Sequence, residues 1–331
     1  MTLPVLEERF QAPPGWRWHS FKHNGRTLRF GTASPINSIP DAVVVCLERL
    51  SEFGDKYFEV ARDCLAKNMA FWVLDWAGQG LSSRYLKNPQ KRHSQGFDRD
   101  VDDLHAFIMG YIKHSSVHPD KGRIPLVMLA HSTGGNIGLR YLAKHPGMFE
   151  CAAFTAPLLG LKAIQTTPSP VINALSGILN LVCGTAYLPG QTKWQASTRD
   201  TSQPELFSSD PVRRKVHNAW FLTNPALQVG GITCGWIYQA LKSCAVINNA
   251  GFLESTHTHC LLALAGQEGF VDNDHIKSAA RRLPNAQLIE LPSAHHEILM
   301  EADPARSAFL QAFYKLIDEH IIQKPETLKP F

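Results

Sequence analysis

Six short apolar runs, Val43–Leu47, Ala70–Leu74, Leu126–Ala130, Cys151–Thr155, Leu261–Ala265 and Gln287–Leu291, recur between segments with helical spacing. Short, mainly apolar runs of this kind read as buried strands of a parallel sheet. The intervening segments repeat at three and four residues, as in Phe97, Val101, Leu104, Ile108 and Tyr111, or Phe309, Phe313, Leu316 and Ile317, so each can cover the sheet with one stripe. Strands alternating with helices predict a doubly wound, mostly parallel α/β sheet with helices on both faces. Trp16–His23 and Arg26–Thr32, joined at Asn24-Gly25, predict an antiparallel hairpin at its edge.

The alternation stops between 158 and 243, where Pro168, Pro170, Pro189, Pro204, Pro211 and Pro225 interrupt helical stretches and no strand run occurs. We read this as a helical cap inserted into the sheet domain, dividing the chain into core 1–157, cap 158–243 and core 244–331. A site at the carboxyl ends of the strands would lie beneath it.

The most specific local pattern is Leu126-Val-Met-Leu-Ala-His-Ser-Thr-Gly-Gly-Asn-Ile-Gly-Leu, a buried strand ending at Ser132 and passing at once into a helix. That is the context of a nucleophile elbow. Strand and helix nearly touch there, which demands small residues two before and two after the serine, and Ala130 and Gly134 occupy those places. The plain alternative is a helix-capping serine. A serine hydroxyl becomes a useful nucleophile only with a base to take its proton and a carboxylate to orient that base. In chains with such an elbow the order is serine, acid, histidine. Gly266-Gln-Glu-Gly-Phe-Val-Asp-Asn follows the fifth run and Ser293-Ala-His-His-Glu-Ile-Leu follows the sixth, so both partners occur in order at strand ends. His131, beside the serine, is read as a packing or hydrogen-bonding residue.

With these segments placed, the sequence resembles the monoglyceride-lipase and bacterial lysophospholipase branch of the α/β hydrolases, most nearly the bacterial inner-membrane lysophospholipases. Besides the elbow, the likeness rests on Arg49-Leu-Ser-Glu, Asp75-Trp-Ala-Gly-Gln-Gly-Leu-Ser, Asp100-Val-Asp-Asp-Leu, Thr155-Ala-Pro-Leu-Leu-Gly, Val229-Gly-Gly and His296-Glu-Ile-Leu. The resemblance implies Ser132 as nucleophile, His296 and not His295 as base, and Glu268 as acid with Asp272 as the runner-up. It also implies backbone oxyanion donors at Thr133 and at Leu50 or Arg49. Where many relatives carry His-Gly this chain has Glu48-Arg49, and Ala77 replaces an arginine common in the Asp75 loop.

The implied reaction is hydrolysis of a single-chain lipid ester, a lysophospholipid or monoacylglycerol, through an acyl-enzyme, with no cofactor and no metal. A short-ester carboxylesterase, an aminopeptidase-like serine hydrolase and, in another class, an inactive lipid-binding module are the competing readings. Fold alone does not choose among them. The His257-Thr-His259-Cys cluster lacks further spaced zinc ligands. Arg213-Arg-Lys is a candidate contact for a phosphate headgroup, set against a solvated face. Ile172–Leu181 is read as lining an acyl tunnel or packing the cap.

A net charge of +4 over 331 residues, with no basic stripe interleaved with aromatics, argues against a nucleic-acid partner. It leaves peripheral contact with an anionic membrane as an expectation. Seven cysteines without a C-x-x-C pair fit a reducing compartment. The first residues, MTLPVLEERFQAPPGWRWHSF, hold neither a basic leader nor a continuous apolar segment, and Val171–Leu188 is broken by Asn173, Ser176, Asn180 and two glycines. A cytoplasmic protein without a membrane span is the expectation.

Overall fold

Arg17–His23 (β1) and Arg26–Ala33 (β2) pair antiparallel, and the two turn residues Asn24 and Gly25 both have positive φ, 47° and 73°. This is the turn whose twist matches that of the strands it joins. The computed structural model, which describes residues 6–118, 122–167, 169–196 and 207–323, continues with Ala42–Leu47 (β3), Met69–Leu74 (β4), Leu126–His131 (β5), Cys151–Thr155 (β6), His259–Ala265 (β7) and Ala286–Leu291 (β8). The strands form one sheet in the order β1-β2-β4-β3-β5-β6-β7-β8. β2 runs antiparallel to β4, and every pairing from β4 to β8 is parallel. Every residue of β3, β4, β5 and β6 is buried, which is why these runs show no alternation. The edge strand β8 is only partly covered.

The main helices are Phe58–Ala66 (α1), Phe97–Phe107 (α2), Thr133–Lys144 (α3), Ser169–Cys183 (α4), Arg213–Thr223 (α5), Cys234–Asn248 (α6), Asn273–Arg282 (α7) and Asp303–Ile317 (α8). The result is an α/β-hydrolase architecture, with α2, α3 and α6 packed on one another and α1 linked to α8 by the Asp63–Arg306 ion pair.

The connection from β6 to β7 carries α4, α5 and α6. The boundary expected at 243 falls inside α6, whose Trp236, Ala240, Cys244 and Ile247 belong to the main core. Ser243 itself accepts from Arg140 at 3.2 Å and donates to Asn136 at 2.5 Å, both on α3. A core crossover helix and a cap helix have the same periodicity, and only what they pack against separates them.

Candidate active site

Ser132 sits between β5 and α3 with φ 52° and ψ −111°, a conformation that costs a non-glycine residue energy and lifts its side chain out of the sheet. The closeness of strand and helix explains the residue two further on. A Cβ at Gly134 would lie 2.2 Å from the Leu47 carbonyl oxygen, so nothing larger than glycine fits there.

The turn after β8 brings His296 to the serine, with Nε2 3.0 Å from Ser132 Oγ. On the other side His296 Nδ1 lies 2.9 Å from Glu268 Oε2. Glu268 Oε1 accepts the amides of Gly269, Phe270 and Val271 at 2.9, 2.8 and 3.3 Å. Burial alone would push the Glu268 carboxyl up, but His296 and the amides of Phe270 and Val271 outweigh it and hold the group below the ordinary carboxylate range. The carboxylate is therefore ionised and fixed in orientation. His131 packs its ring 5.0 Å from that of His296 and bonds Thr155 O at 3.0 Å. Burial, with His296 adding to it, pulls His131 down to about 3, so it stays neutral.

The competing side chains are engaged elsewhere. His295 turns to Glu301, with Nδ1 3.0 Å from Oε1. Asp272 caps α7 through the Asp274 amide at 2.9 Å and pairs with His275, also at 2.9 Å.

The loop after β3 faces the elbow. Arg49 donates its amide to Glu52 Oε2 at 3.3 Å, which removes Arg49 from the expected oxyanion donors. The Ser51 amide donates to Gln79 Oε1 at 2.9 Å, and Gln79 Nε2 donates to the Arg49 carbonyl at 2.7 Å. Between these pinned neighbours the Leu50 amide has no acceptor among the described residues, and neither has that of Thr133. An N–H group left without a protein acceptor is one that can bond a developing oxyanion.

A model described as serine aminopeptidase, S33, matches residues 38–303. The chain belongs to the S33 family. It is 29% identical over 290 residues to lysophospholipase L2 of Escherichia coli K12, across 84% of this chain and 80% of that protein. It is 26% identical over 174 residues to monoglyceride lipase of Homo sapiens, across 52% of each. A soluble variant of monoglyceride lipase from Saccharomyces cerevisiae, solved with a substrate analog, superposes with a TM-score of 0.74 at 15% identity, covering 97% of this chain and 99% of that one. This last likeness carries the fold. The protein is accordingly a hydrolase of the α/β-hydrolase superfamily.

Two features of this S33 hydrolase were not legible in its sequence. Gln79, in the Asp75 loop, holds the loop after β3 through the Ser51 amide and the Arg49 carbonyl and also bonds Glu48 Oε2 at 2.9 Å. The Asp75 motif contains Gln79, but nothing in the motif shows what it does, because its role exists only where the β3 and β4 loops meet. Arg213, the first residue of the Arg213-Arg-Lys run weighed as a headgroup contact or a solvated face, is 3% exposed and fully engaged: it bonds both Glu59 oxygens at 2.9 Å, Asp303 at 2.7 Å, Asp210 at 3.1 Å and the Glu301 carbonyl at 2.9 Å. It ties α5 to the core and has no capacity left for a headgroup. Among the described residues no cluster has the makeup of a metal site.

Proposed function

We propose that this S33 hydrolase cleaves the carboxylic ester of a single-chain lipid, a lysophospholipid or monoacylglycerol, with Ser132 as nucleophile, His296 as base and Glu268 as orienting acid. The observation that carries the reading is the position of His296, within hydrogen-bond reach of both Ser132 and Glu268. Ser132 Oγ attacks the acyl carbonyl as its proton passes to His296 Nε2, and Glu268 stabilises the imidazolium. The amides of Thr133 and Leu50 hold the oxyanion. Collapse returns the proton to the leaving glycerol oxygen, and water then enters by the same route in reverse, releasing the fatty acid.

The lipid character of the substrate is supported by the names of the relatives and by α4. That helix leaves Val171, Leu175, Ile178, Leu181 and Val182 exposed, Leu181 by 86% and Val182 by 78%. An apolar patch of this kind marks a docking surface, and we assign it to the face of a lipid aggregate. The contact proposed is a peripheral one, made by the apolar face of α4; no helix among the described residues is long and apolar enough to cross a membrane.

The family description favours one other reading, an aminopeptidase. Such an enzyme needs a carboxylate for the substrate ammonium, yet near the site Glu52 and Glu297 are bonded by Lys56 and Arg49, and Glu301 by His295. The ester reading is the better supported.

The test is a substrate profile over lysophospholipids, monoacylglycerols, diacyl lipids, short esters and aminoacyl anilides. Single-chain lipids should lead, with kcat/KM rising along the acyl series because each buried methylene contributes about 0.8 kcal/mol. L181D/V182D should lower turnover on vesicles and micelles while sparing monomeric esters. Preference for acetyl esters below the micelle threshold would defeat the lipid reading.

A further inference from the structure

Four charged side chains lie buried together between the loop after β3 and the turn that carries His296. Lys56 Nζ is 2.5 Å from Glu52 Oε1 and 2.7 Å from Glu297 Oε2. Arg49 donates through Nε to Glu52 at 2.9 Å and through Nη2 to Glu297 at 2.8 Å. The Tyr57 hydroxyl donates to the second Glu52 oxygen at 2.5 Å. Lys56, Glu52 and Glu297 are almost wholly removed from water. Two cations thus each bridge the same two carboxylates, and the charges cancel.

Burying such a group is expensive, and well-packed apolar side chains usually stabilise a fold at least as well. What apolar packing does not supply is a fixed distance and direction between two loops. Here the two loops are those the reaction must hold in register. Arg49 and Glu52 lie on either side of Leu50, whose amide has no acceptor among the described residues, while Glu297 follows His296 directly in the chain and donates its own amide to the Phe207 carbonyl at 2.8 Å.

We infer that Arg49, Glu52, Lys56 and Glu297 are positioning residues for the ester hydrolysis proposed above, a double clasp that sets the separation of the Leu50 amide and His296 across Ser132. This inference rests on that reading of the site. The clasp touches no reacting atom; it acts through the backbone of both loops. Oxyanion stabilisation and proton transfer belong to one transition state, so a shift of either loop lowers turnover while leaving ground-state binding of the lipid unchanged.

The experiment uses the full chain and compares wild type, Lys56→Met, Lys56→Arg and the double variant Lys56→Met/Glu297→Gln. For each, kcat and KM are measured on one lysophospholipid and one monoacylglycerol, beside the melting temperature and fluorophosphonate labelling of Ser132. Lys56→Met should lower kcat roughly 10-fold to 100-fold on both substrates, with KM nearly unchanged, and Lys56→Arg should restore most of it. The double variant again balances the charges and should recover melting temperature, yet kcat should stay low because one of the two bridges is still missing. Recovery of kcat together with melting temperature would show a merely structural cluster and overturn the inference, as would wild-type kcat in folded Lys56→Met. If Lys56→Met does not fold, the double variant alone decides between these outcomes. Failure of the wild type to label at Ser132 would remove the underlying reading, and this inference with it.

Discussion

Glu268 holds His296 with one carboxylate oxygen, at 2.9 Å, and its own loop with the other. The carboxylate is thereby aimed by three backbone amides, and its charge is available to the imidazolium. Glu268→Gln keeps the shape and removes the charge, so kcat should fall by about 10³ to 10⁴. Asp272→Asn should cost little, since asparagine caps a helix as well as aspartate does. Steady-state kinetics of the two variants on one ester checks the assignment, and the opposite ranking would move the acid to Asp272.

The backbone at Ser132 predicts a difference between two inactive variants. Its φ of 52° and ψ of −111° cost a residue with a Cβ about 1–3 kcal/mol, whereas glycine adopts them freely and gives back about 0.5–1 kcal/mol through its looser unfolded chain. Ser132→Ala and Ser132→Gly should both abolish turnover, and Ser132→Gly should be the more stable by about 1 kcal/mol. Chemical denaturation of both proteins measures it; equal stability would mean the elbow is unstrained.

Arg213 is a structural tie and not a headgroup ligand. Arg213→Met leaves Glu59 short of its bidentate partner and should destabilise the protein by roughly 3 kcal/mol. Any loss of kcat/KM should be the same for a lysophospholipid and a monoacylglycerol of one chain length. Selective loss on the phosphorylated substrate would return Arg213 to the binding site.

Glu52 links stability to pH. Burial by itself would raise its carboxyl, but Lys56 and Arg49 prevail and hold it at about 2 against an ordinary value of 4.5. A carboxylate depressed in the folded state contributes stability that is present above the unfolded value and lost as pH falls toward the folded one. The stability difference between wild type and Glu52→Gln should therefore be full above about pH 5 and shrink between pH 4.5 and 2. A difference that does not vary across that window would show that the charge of Glu52 contributes nothing.

The sequence by itself determined the sheet, the elbow and the loops that meet there. Parallel strands buried on both faces need unbroken apolar runs, and a strand that turns straight into a helix needs Ala130 and Gly134 around Ser132, so both are written locally. The resemblance of motifs then named His296 and Glu268. Only the tertiary structure decided what distant segments do to one another: that His296 reaches Ser132 across 164 positions while His295 turns to Glu301, that Arg213 is spent on Glu59, and that α6 belongs to the core. It also revealed the Arg49–Glu52–Lys56–Glu297 clasp, with partners up to 248 positions apart. Periodicity and turn chemistry act over a few residues, whereas the partner of a buried charge is fixed by which loops the packed sheet brings face to face, and no short stretch of sequence carries that information.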